Sequence, residues 1–213
     1  MFDFQVLKDK LFQGDAVEAE KLVRQGLDEK IALKDILEKG LIAGMDIVGQ
    51  KFKCNDIFVP EVLLSARAMQ QGLKVLEPLL IGAGIKPIAK VAIGTVKGDL
   101  HDIGKNLVAM MFKGAGLEIL DFGIDVAPQE FVNAALNSGA NIVAMSALLT
   151  TSMPSMKKTI DALKAAGVRD KVKAIIGGAP VTQGYADEIG ADGYAPDAAS
   201  AVDKVKELLG IKN

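Results

Sequence analysis

About the first 80 residues carry apolar side chains at helical spacing. In the segment that begins at Pro60, a favoured first-turn residue, these side chains recur at intervals of four, three, four and three and so share one face. They are Val62, Ala66, Met69, Leu73 and Leu76. Asp15 and Glu18 have the capping-box spacing that opens another helix, and a longer helix is predicted over residues 32–52. Together these segments predict an N-terminal four-helix bundle.

Two glycines lie inside the helix predicted over residues 32–52. Gly40 and Gly44 are four residues apart, so they lie on the same face of that helix. Glycine costs about 1 kcal/mol in a helix interior relative to alanine. We therefore expect these two positions to allow the close approach of a neighbouring helix.

The pattern changes after residues 82–87, a glycine-containing stretch that we interpret as a linker. Beyond it, short apolar runs alternate with amphipathic helical segments. The runs are Val91–Thr95, Ile119–Phe122, Ile142–Ala147, Ala174–Ile176 and a weaker Gly193–Ala195. The helices are predicted over residues 103–115, 128–138, 153–166, 181–189 and 197–209. This alternation is typical of an open five-stranded parallel sheet covered on both faces, which is a Rossmann-like (flavodoxin-like) α/β fold.

The chain is therefore predicted to have two domains, a helical one over residues 1–87 and an α/β one over residues 88–213. Composition narrows the functional classes that this architecture could serve. The net charge is −2 with no concentration of Lys and Arg, which argues against nucleic-acid binding. No apolar run is long enough for a membrane span, and the N-terminus lacks the pattern of a secretory signal. A single cysteine, Cys54, excludes an internal disulfide and fits a reducing cytoplasm.

The only histidine of the chain, His101, lies in the loop after the first predicted strand. Ligands of open α/β sheets bind at this edge, and imidazole is the commonest side-chain ligand for borderline metals. Asp99, two residues earlier, could accept a hydrogen bond from the other ring nitrogen and so fix the tautomer. One histidine cannot form a protein-only zinc or iron site. A lone imidazole ligand suits a metal whose other donors come from a macrocycle.

Two phosphate-binding motifs are excluded. Gly98 to Gly104 followed by Lys105 resembles a P-loop, but five residues intervene instead of four, and Asn106 replaces Ser or Thr. The stretch at residues 82–84, Gly-Ala-Gly, lacks the third glycine and the preceding strand of a dinucleotide fingerprint.

The Asp99-x-His101-x-x-Gly104 motif resembles the signature of the cobalamin-binding domain shared by methionine synthase, corrinoid methyltransferase proteins and some mutases. That signature continues with a spacer, Ser-x-Leu, a second spacer and Gly-Gly. Here the 41 residues 105–145 separate Gly104 from Ser146-Ala147-Leu148, and the 28 residues 149–176 separate Leu148 from Gly177-Gly178. These spacers match those of the family. Residues 49–61 also resemble the helical cap of the methyl-transferring members. The resemblance therefore covers essentially the whole chain.

The resemblance implies a cobalamin, or a related corrinoid, bound with its own base off cobalt and His101 as the lower ligand of the metal. It implies that Asp99 and His101 are the catalytic pair, and that Gly98 and Gly104 let the backbone approach the corrin ring. Ser146 would bond the buried base, and Thr150 would line the same slot. The remaining predicted cofactor contacts are Asp102, Ile103, Leu148, Gly177 and Gly178 in the α/β domain, and Phe52 and Val59 in the cap.

Simpler interpretations exist for most of these residues. Asp99 could be a turn residue, and Asp102 has the position of a helix N-cap before Ile103. Ser146 could be an ordinary strand-end hydroxyl, and the two glycines after residue 176 an ordinary turn. Phe52 and Val59 could be bundle core.

The resemblance implies a corrinoid protein that carries a methyl group on cobalt between two partner methyltransferases in one-carbon metabolism. One partner would be substrate-specific, one would pass the methyl group to a folate or thiol acceptor, and a reductive activator is also expected. Methyl ether, methanol, methylamine and betaine all remain open as donors. A radical-mutase subunit is disfavoured by the helical cap, and a cobalamin-responsive regulator by the absence of a basic recognition helix.

Overall fold

The computed structural model describes residues 1–211. They form two compact units, of which the first comprises Met1–Pro87 with Lys113–Gly116. The second comprises Ile88–Phe112 and the residues from Leu117 onward. Among the described helices, none has the length and apolar character that crossing a bilayer requires.

The first unit is the predicted helical bundle. Its helices are α1 (Phe4–Phe12), α2 (Ala16–Asp28), α3 (Leu33–Asp35), α4 (Ala43–Lys53) and α5 (Val59–Gly82), with a π-helical segment, Ile36–Ile42, joining α3 to α4. The α3–π–α4 run is one continuous rod, so the unit has four rods, as predicted. Helix α2 packs against α5, and α1 packs against α4 and the π segment. Asp15 caps α2 by accepting the Glu18 N–H at 3.1 Å, as the capping-box spacing predicted.

Gly40 of the π segment and Gly44 of α4 face α1. A methyl group on Gly40 would lie 2.7 Å from Leu7 Cδ2, and one on Gly44 would lie 2.6 Å from Leu11 Cδ1. The predicted close approach of a neighbouring helix is therefore confirmed. The π turns themselves were not predicted, because the spacing argument assumes regular α-helical turns, and π turns occur as short insertions within α-helices.

The second unit contains the parallel sheet. Its strands are β1 (Lys90–Thr95), β2 (Glu118–Asp121), β3 (Ile142–Ser146), β4 (Lys173–Gly177) and β5 (Gly193–Ala195). The helices that follow the strands are α6 (Ile103–Gly114), α7 (Pro128–Asn137), α8 (Pro154–Ala165), α9 (Gln183–Ile189) and α10 (Ala198–Leu208). The strand order is β2-β1-β3-β4-β5, and every pair is parallel. This is the flavodoxin-like order, so the predicted fold class is confirmed.

The strands β1 and β3 are the centre of the sheet and are almost completely buried. Apolar side chains of β3, β4, α7, α8 and α9 form one continuous core around Phe131, Met156 and Leu163. Burial on this scale fixes the register of the central strands, because a shift by one residue would move every side chain to the opposite face of the sheet, where the packing is different. The loops at the carboxyl ends of β1 and β3 therefore start from a rigid base.

The turn between α1 and α2 offers a test of the packing of the helical unit. Gly14 has φ +72°, and a methyl group there would lie 2.6 Å from Leu64 Cβ. We expect Gly14→Ala to lower the free energy of unfolding by about 3 kcal/mol. The strain of a left-handed backbone at alanine and the clash of the new methyl group with Leu64 add together. Urea denaturation measured by circular dichroism checks this. Gly84→Ala is the matched control, because Gly84 has φ +69° but no atom within 4 Å of the added methyl. Equal losses in the two variants would contradict the packing argument.

Candidate functional site

The predicted site residues of the α/β unit lie at the edge of the sheet where the strand order changes direction. Strands β1 and β3 are neighbours, yet β1 leads toward β2 on one side and β3 leads toward β4 on the other. The loops that follow them, residues 96–102 and 147–153, therefore border one crevice, the usual ligand position in such sheets. His101 lies in the first of these loops.

The carboxylate of Asp99 joins the two loops. Its side chain is fully buried and accepts five hydrogen bonds. Oδ1 accepts the backbone N–H of His101 at 3.1 Å and the His101 ring Nδ1–H at 2.7 Å. Oδ2 accepts the N–H groups of Leu148 and Leu149 at 2.8 and 3.1 Å, and the Ser152 hydroxyl at 2.6 Å. The predicted hydrogen bond between Asp99 and His101 is therefore present.

Asp99 is a charged group in a dry environment. Burial alone would raise the pKa of its carboxyl, but the hydrogen bonds from Ser152, His101 and Leu148 outweigh burial and hold that pKa well below its usual range. The group is consequently an anion at neutral pH and can only accept hydrogen bonds. Because Nδ1 of His101 must donate to it, the lone pair of the neutral ring lies on Nε2. The His101 side chain is 51% exposed, so a ligand can reach the ring.

A second contact fixes the backbone of the histidine. The hydroxyl of Thr95, which is fully buried at the end of β1, donates to the His101 carbonyl at 2.8 Å. Neither Thr95 nor Ser152 was predicted from the sequence. In the sequence, Thr95 is indistinguishable from an ordinary strand residue. Ser152 lies in an irregular loop, where no periodic pattern distinguishes it.

The later elements of the motif align along the same sheet edge. Thr95 pairs with Ser146, and Ser146 pairs with Gly177, so these three residues end adjacent strands side by side. A methyl group on Gly178, which has φ +127°, would lie 1.8 Å from the Ala147 carbonyl oxygen. Gly178 is therefore required by the protein's own backbone, whatever it also offers to a ligand. Thr150 lies in the turn before α8 and is exposed.

The surroundings of His101 are open and largely apolar. Gly98, with φ +88°, and Gly104 have no atom within 4 Å of the position a methyl group would take. Several large apolar side chains of the two loops and the start of α6 are exposed, namely Leu100, Ile103, Leu148 and Leu149. Asp102 accepts a hydrogen bond from the Asn106 side chain at 3.0 Å. Such a surface suits a flat apolar ring rather than a hydrated ion.

Phe52 and Val59, the two predicted contacts of the helical unit, lie at either side of the α4–α5 turn. Phe52 is partly exposed and Val59 is 37% exposed. Val59 is therefore not bundle core, which removes the simpler interpretation of that residue.

The donor chemistry fits a corrinoid. Throughout residues 1–211, no three His, Cys, Asp or Glu side chains gather in a group that could hold a metal ion. A single imidazole, oriented by a buried carboxylate, can serve as the axial ligand of a metal whose equatorial donors are supplied by a macrocycle. His101 would hold cobalt, and the open glycine positions beside it would accommodate the ring.

Two family models match the chain. Residues 89–203 match a model described as a B12 binding domain, and residues 4–77 match a second model with the same description. Together the models cover both structural units, and the first alone covers more than half of the chain. The chain therefore belongs to the B12-binding corrinoid protein family, and cobalamin is its cofactor.

Individual relatives agree with this membership. A corrinoid protein of Desulfitobacterium hafniense is 41% identical over 96% of both chains. The trimethylamine corrinoid protein of Methanosarcina barkeri is 43% identical, covering 96% of this chain and 95% of that one. The solved methanol:cobalamin methyltransferase complex of M. barkeri superposes with a TM-score of 0.86 at 26% identity, covering 97% of this chain and 79% of that one. The predicted membership among corrinoid subunits of methyltransferase systems is confirmed.

The hydrogen bonds to Asp99 predict how stability depends on pH. We expect Asp99→Asn to lower the free energy of unfolding at pH 7 by about 2 kcal/mol, because an amide cannot accept from all five donors. The pKa of Asp99 is lower in the folded than in the unfolded chain, so its stabilisation is present above about pH 4 and is lost as the pH falls. Urea denaturation of the cofactor-free chain between pH 7 and pH 2 should show the difference in free energy of unfolding between wild type and Asp99→Asn decreasing as the pH falls. Asp161→Asn, in an exposed pair with Lys157, should change little at any pH.

Proposed function

We propose that this chain carries a methyl group on the cobalt of cobalamin, with Nε2 of His101 as the lower ligand of the metal. The observation that supports this most is the 2.7 Å hydrogen bond from His101 Nδ1 to the buried Asp99 carboxylate, which directs the lone pair of the neutral ring to Nε2 in a side chain that is 51% exposed. When bound, cobalamin supplies a cobalt atom that can accept and release a methyl group. The chain supplies the ligand and its orientation.

Asp99 and His101 act as one unit in this function. The carboxylate fixes the imidazole tautomer and makes Nε2 a better electron donor. The Ser152 hydroxyl and the Leu148 and Leu149 N–H groups donate to the carboxylate and keep it in place.

We assign the sheet edge beyond His101 to the rest of the cofactor. Gly98, Asp102, Ile103, Gly104 and Leu148 are the proposed contacts of the corrin ring. Ser146, Thr150, Gly177 and Gly178 are the proposed lining of the slot for the displaced base. The alignment of Ser146 with Gly177 across β3 and β4 supports a continuous slot at this edge.

We assign the helical domain, residues 1–87, to covering the cofactor, and the α/β domain, residues 88–213, to binding it. Phe52 and Val59 are the proposed cap contacts with the upper face of cobalt. The exposed side chain of Val59, the partly exposed side chain of Phe52 and the match of residues 4–77 to a B12-binding model support this role. An apolar roof would protect a bound methyl group from water.

The partners follow from the same function. A substrate-specific methyltransferase would load the methyl group, and a second enzyme would pass it to a folate or thiol acceptor. A reductive activator would restore the cofactor after accidental oxidation. Relatives named for trimethylamine and dimethylamine favour a methylamine as the donor over methanol, methyl ether or betaine. The lone and exposed Cys54 is consistent with a reducing cytoplasm as the compartment.

Reconstitution with cobalamin tests the lower ligand directly. We expect the wild-type chain to bind cobalamin stoichiometrically, with the absorption spectrum of the form whose own base is displaced by histidine. His101→Gln should retain the tail-binding edge but lose the histidine-on spectrum. Free cobalamin in the wild-type mixture, or cobalamin that keeps its own base, would falsify the assignment of His101.

The role of Phe52 is tested by the protection of a bound methyl group. We expect Phe52→Ala to speed photolysis of methylcobalamin held by the chain several-fold, because water and oxygen reach the upper face more easily. Phe12→Ala is the control, since Phe12 is a partly exposed phenylalanine of α1 outside residues 49–61. Identical photolysis rates in wild type and Phe52→Ala would show that Phe52 does not cover the cofactor.

A further inference from the structure

The loop between β2 and α7, residues 122–127, runs beside the loop that carries His101. Val126 forms a parallel bridge with Val96 beyond the ends of the strands. The Thr95 N–H donates to the Gly123 carbonyl at 3.0 Å, and the Val126 N–H donates to the Thr95 carbonyl at 2.9 Å. The pairing of β1 with β2 thus continues past both strand ends and brings residue 125 alongside residues 97–99.

Asp125 bonds to three consecutive residues, Lys97, Gly98 and Asp99. Its Oδ1 accepts the Gly98 N–H at 2.8 Å, and its Oδ2 accepts from Lys97 Nζ at 2.8 Å. Its own backbone N–H donates to the Asp99 carbonyl at 3.0 Å. One residue therefore defines the path of the turn that leads into His101.

The backbone conformations at this contact are unusual. Gly98 has φ +88°, which glycine adopts without strain, and Asp125 has φ +54°, which few residues other than glycine, Asn and Asp tolerate. A residue holds such a conformation where surrounding contacts over-determine it. Here the side chain and the main chain of Asp125 are bound to the same short segment. The conformation is therefore part of the contact between the two loops.

We infer that Asp125 is a positioning residue of the cobalt-ligand site, whose carboxylate holds residues 97–99 in the turn that orients His101. The inference rests on the proposed function, because the orientation of the ring matters to cobalt only if Nε2 is its ligand. Asp99 is then held from two sides. The β3–α8 loop holds its carboxylate, and Asp125 holds its carbonyl and the residues before it.

Of the two side-chain bonds, the one to Gly98 is expected to matter more. The Lys97 and Asp125 side chains are 57% and 40% exposed, and exposed ion pairs contribute little. The bond to Gly98 instead satisfies a backbone N–H at a left-handed turn. The Ser155 hydroxyl also binds the Lys97 carbonyl at 2.8 Å, so residue 97 keeps an anchor if the ion pair is lost.

Three variants of the full chain separate these contributions. Asp125→Gly removes the carboxylate and relieves the backbone, so it avoids the strain that alanine would add. Asp125→Asn keeps an acceptor oxygen for Gly98 and tolerates the left-handed conformation. Lys97→Met removes only the ion pair. Each variant is produced with 15N-labelled histidine, loaded with cobalamin and reduced to cobalt(II). The two-line 15N hyperfine splitting of its electron paramagnetic resonance spectrum, which the 14N base of the cofactor cannot give, reports the fraction with histidine on cobalt.

We expect the ratio of histidine-off to histidine-on protein to rise about tenfold in Asp125→Gly, the change that the loss of one charge-assisted hydrogen bond corresponds to. Asp125→Asn should restore most of the histidine-on signal, and Lys97→Met should match wild type. Full nitrogen splitting in Asp125→Gly overturns the inference. Equal losses in Asp125→Gly and Asp125→Asn also overturn it, since the Gly98 bond would then not be the cause.

The cofactor-free chain gives an independent measurement. Hydrogen exchange of the Gly98 amide should be about tenfold faster in Asp125→Gly than in Asp125→Asn, because only Asp125→Asn keeps an oxygen that can accept from the Gly98 N–H. Unchanged exchange would overturn the contact itself. A wild-type chain that binds cobalamin without splitting from the labelled histidine would instead contradict the proposed function. The two failures are therefore distinguishable.

Discussion

A buried carboxylate must find hydrogen-bond donors or lose its charge, and Asp99 finds them on two loops that only the folded sheet brings together. The donors come from the loop after β1 and the loop after β3, which are adjacent strands of the sheet. Burial opposes ionisation of this group, and the hydrogen bonds reverse that effect. The orientation of His101 thus depends on the same contacts that hold the two loops together.

Under the proposed function, this arrangement would let a corrinoid protein rely on a single histidine. The corrin ring would supply the other donors, so the chain would need only one oriented imidazole nitrogen and a surface on which a flat ring can lie. The Asp99 carboxylate accepts from Nδ1 of His101, and the exposed Leu100 and Ile103 in the same stretch of chain are apolar. Neither feature requires the cluster of ligands that protein-only metal sites use.

The rigidity of the site comes from the sheet beneath it. Thr95, Ser146 and Gly177 end three neighbouring strands at the same level, and Gly178 allows the backbone to pass within contact of Ala147. The pairing of β1 and β2 continues into their loops as far as Asp125. Loop residues that would otherwise be mobile are therefore held by main-chain hydrogen bonds that extend the strands.

The sequence by itself determined the helical half, the five strands within one or two residues, and the motif around His101, because periodicity and fixed spacings are properties of the chain alone. It also indicated the partner of the histidine, since Asp99 lies only two residues away. Only the tertiary structure decided the π segment at Ile36–Ile42 and the contacts of Ser152 and Asp125. Those contacts join residues 26 to 53 positions apart through irregular loops, whose paths depend on strand order and register rather than on any local pattern.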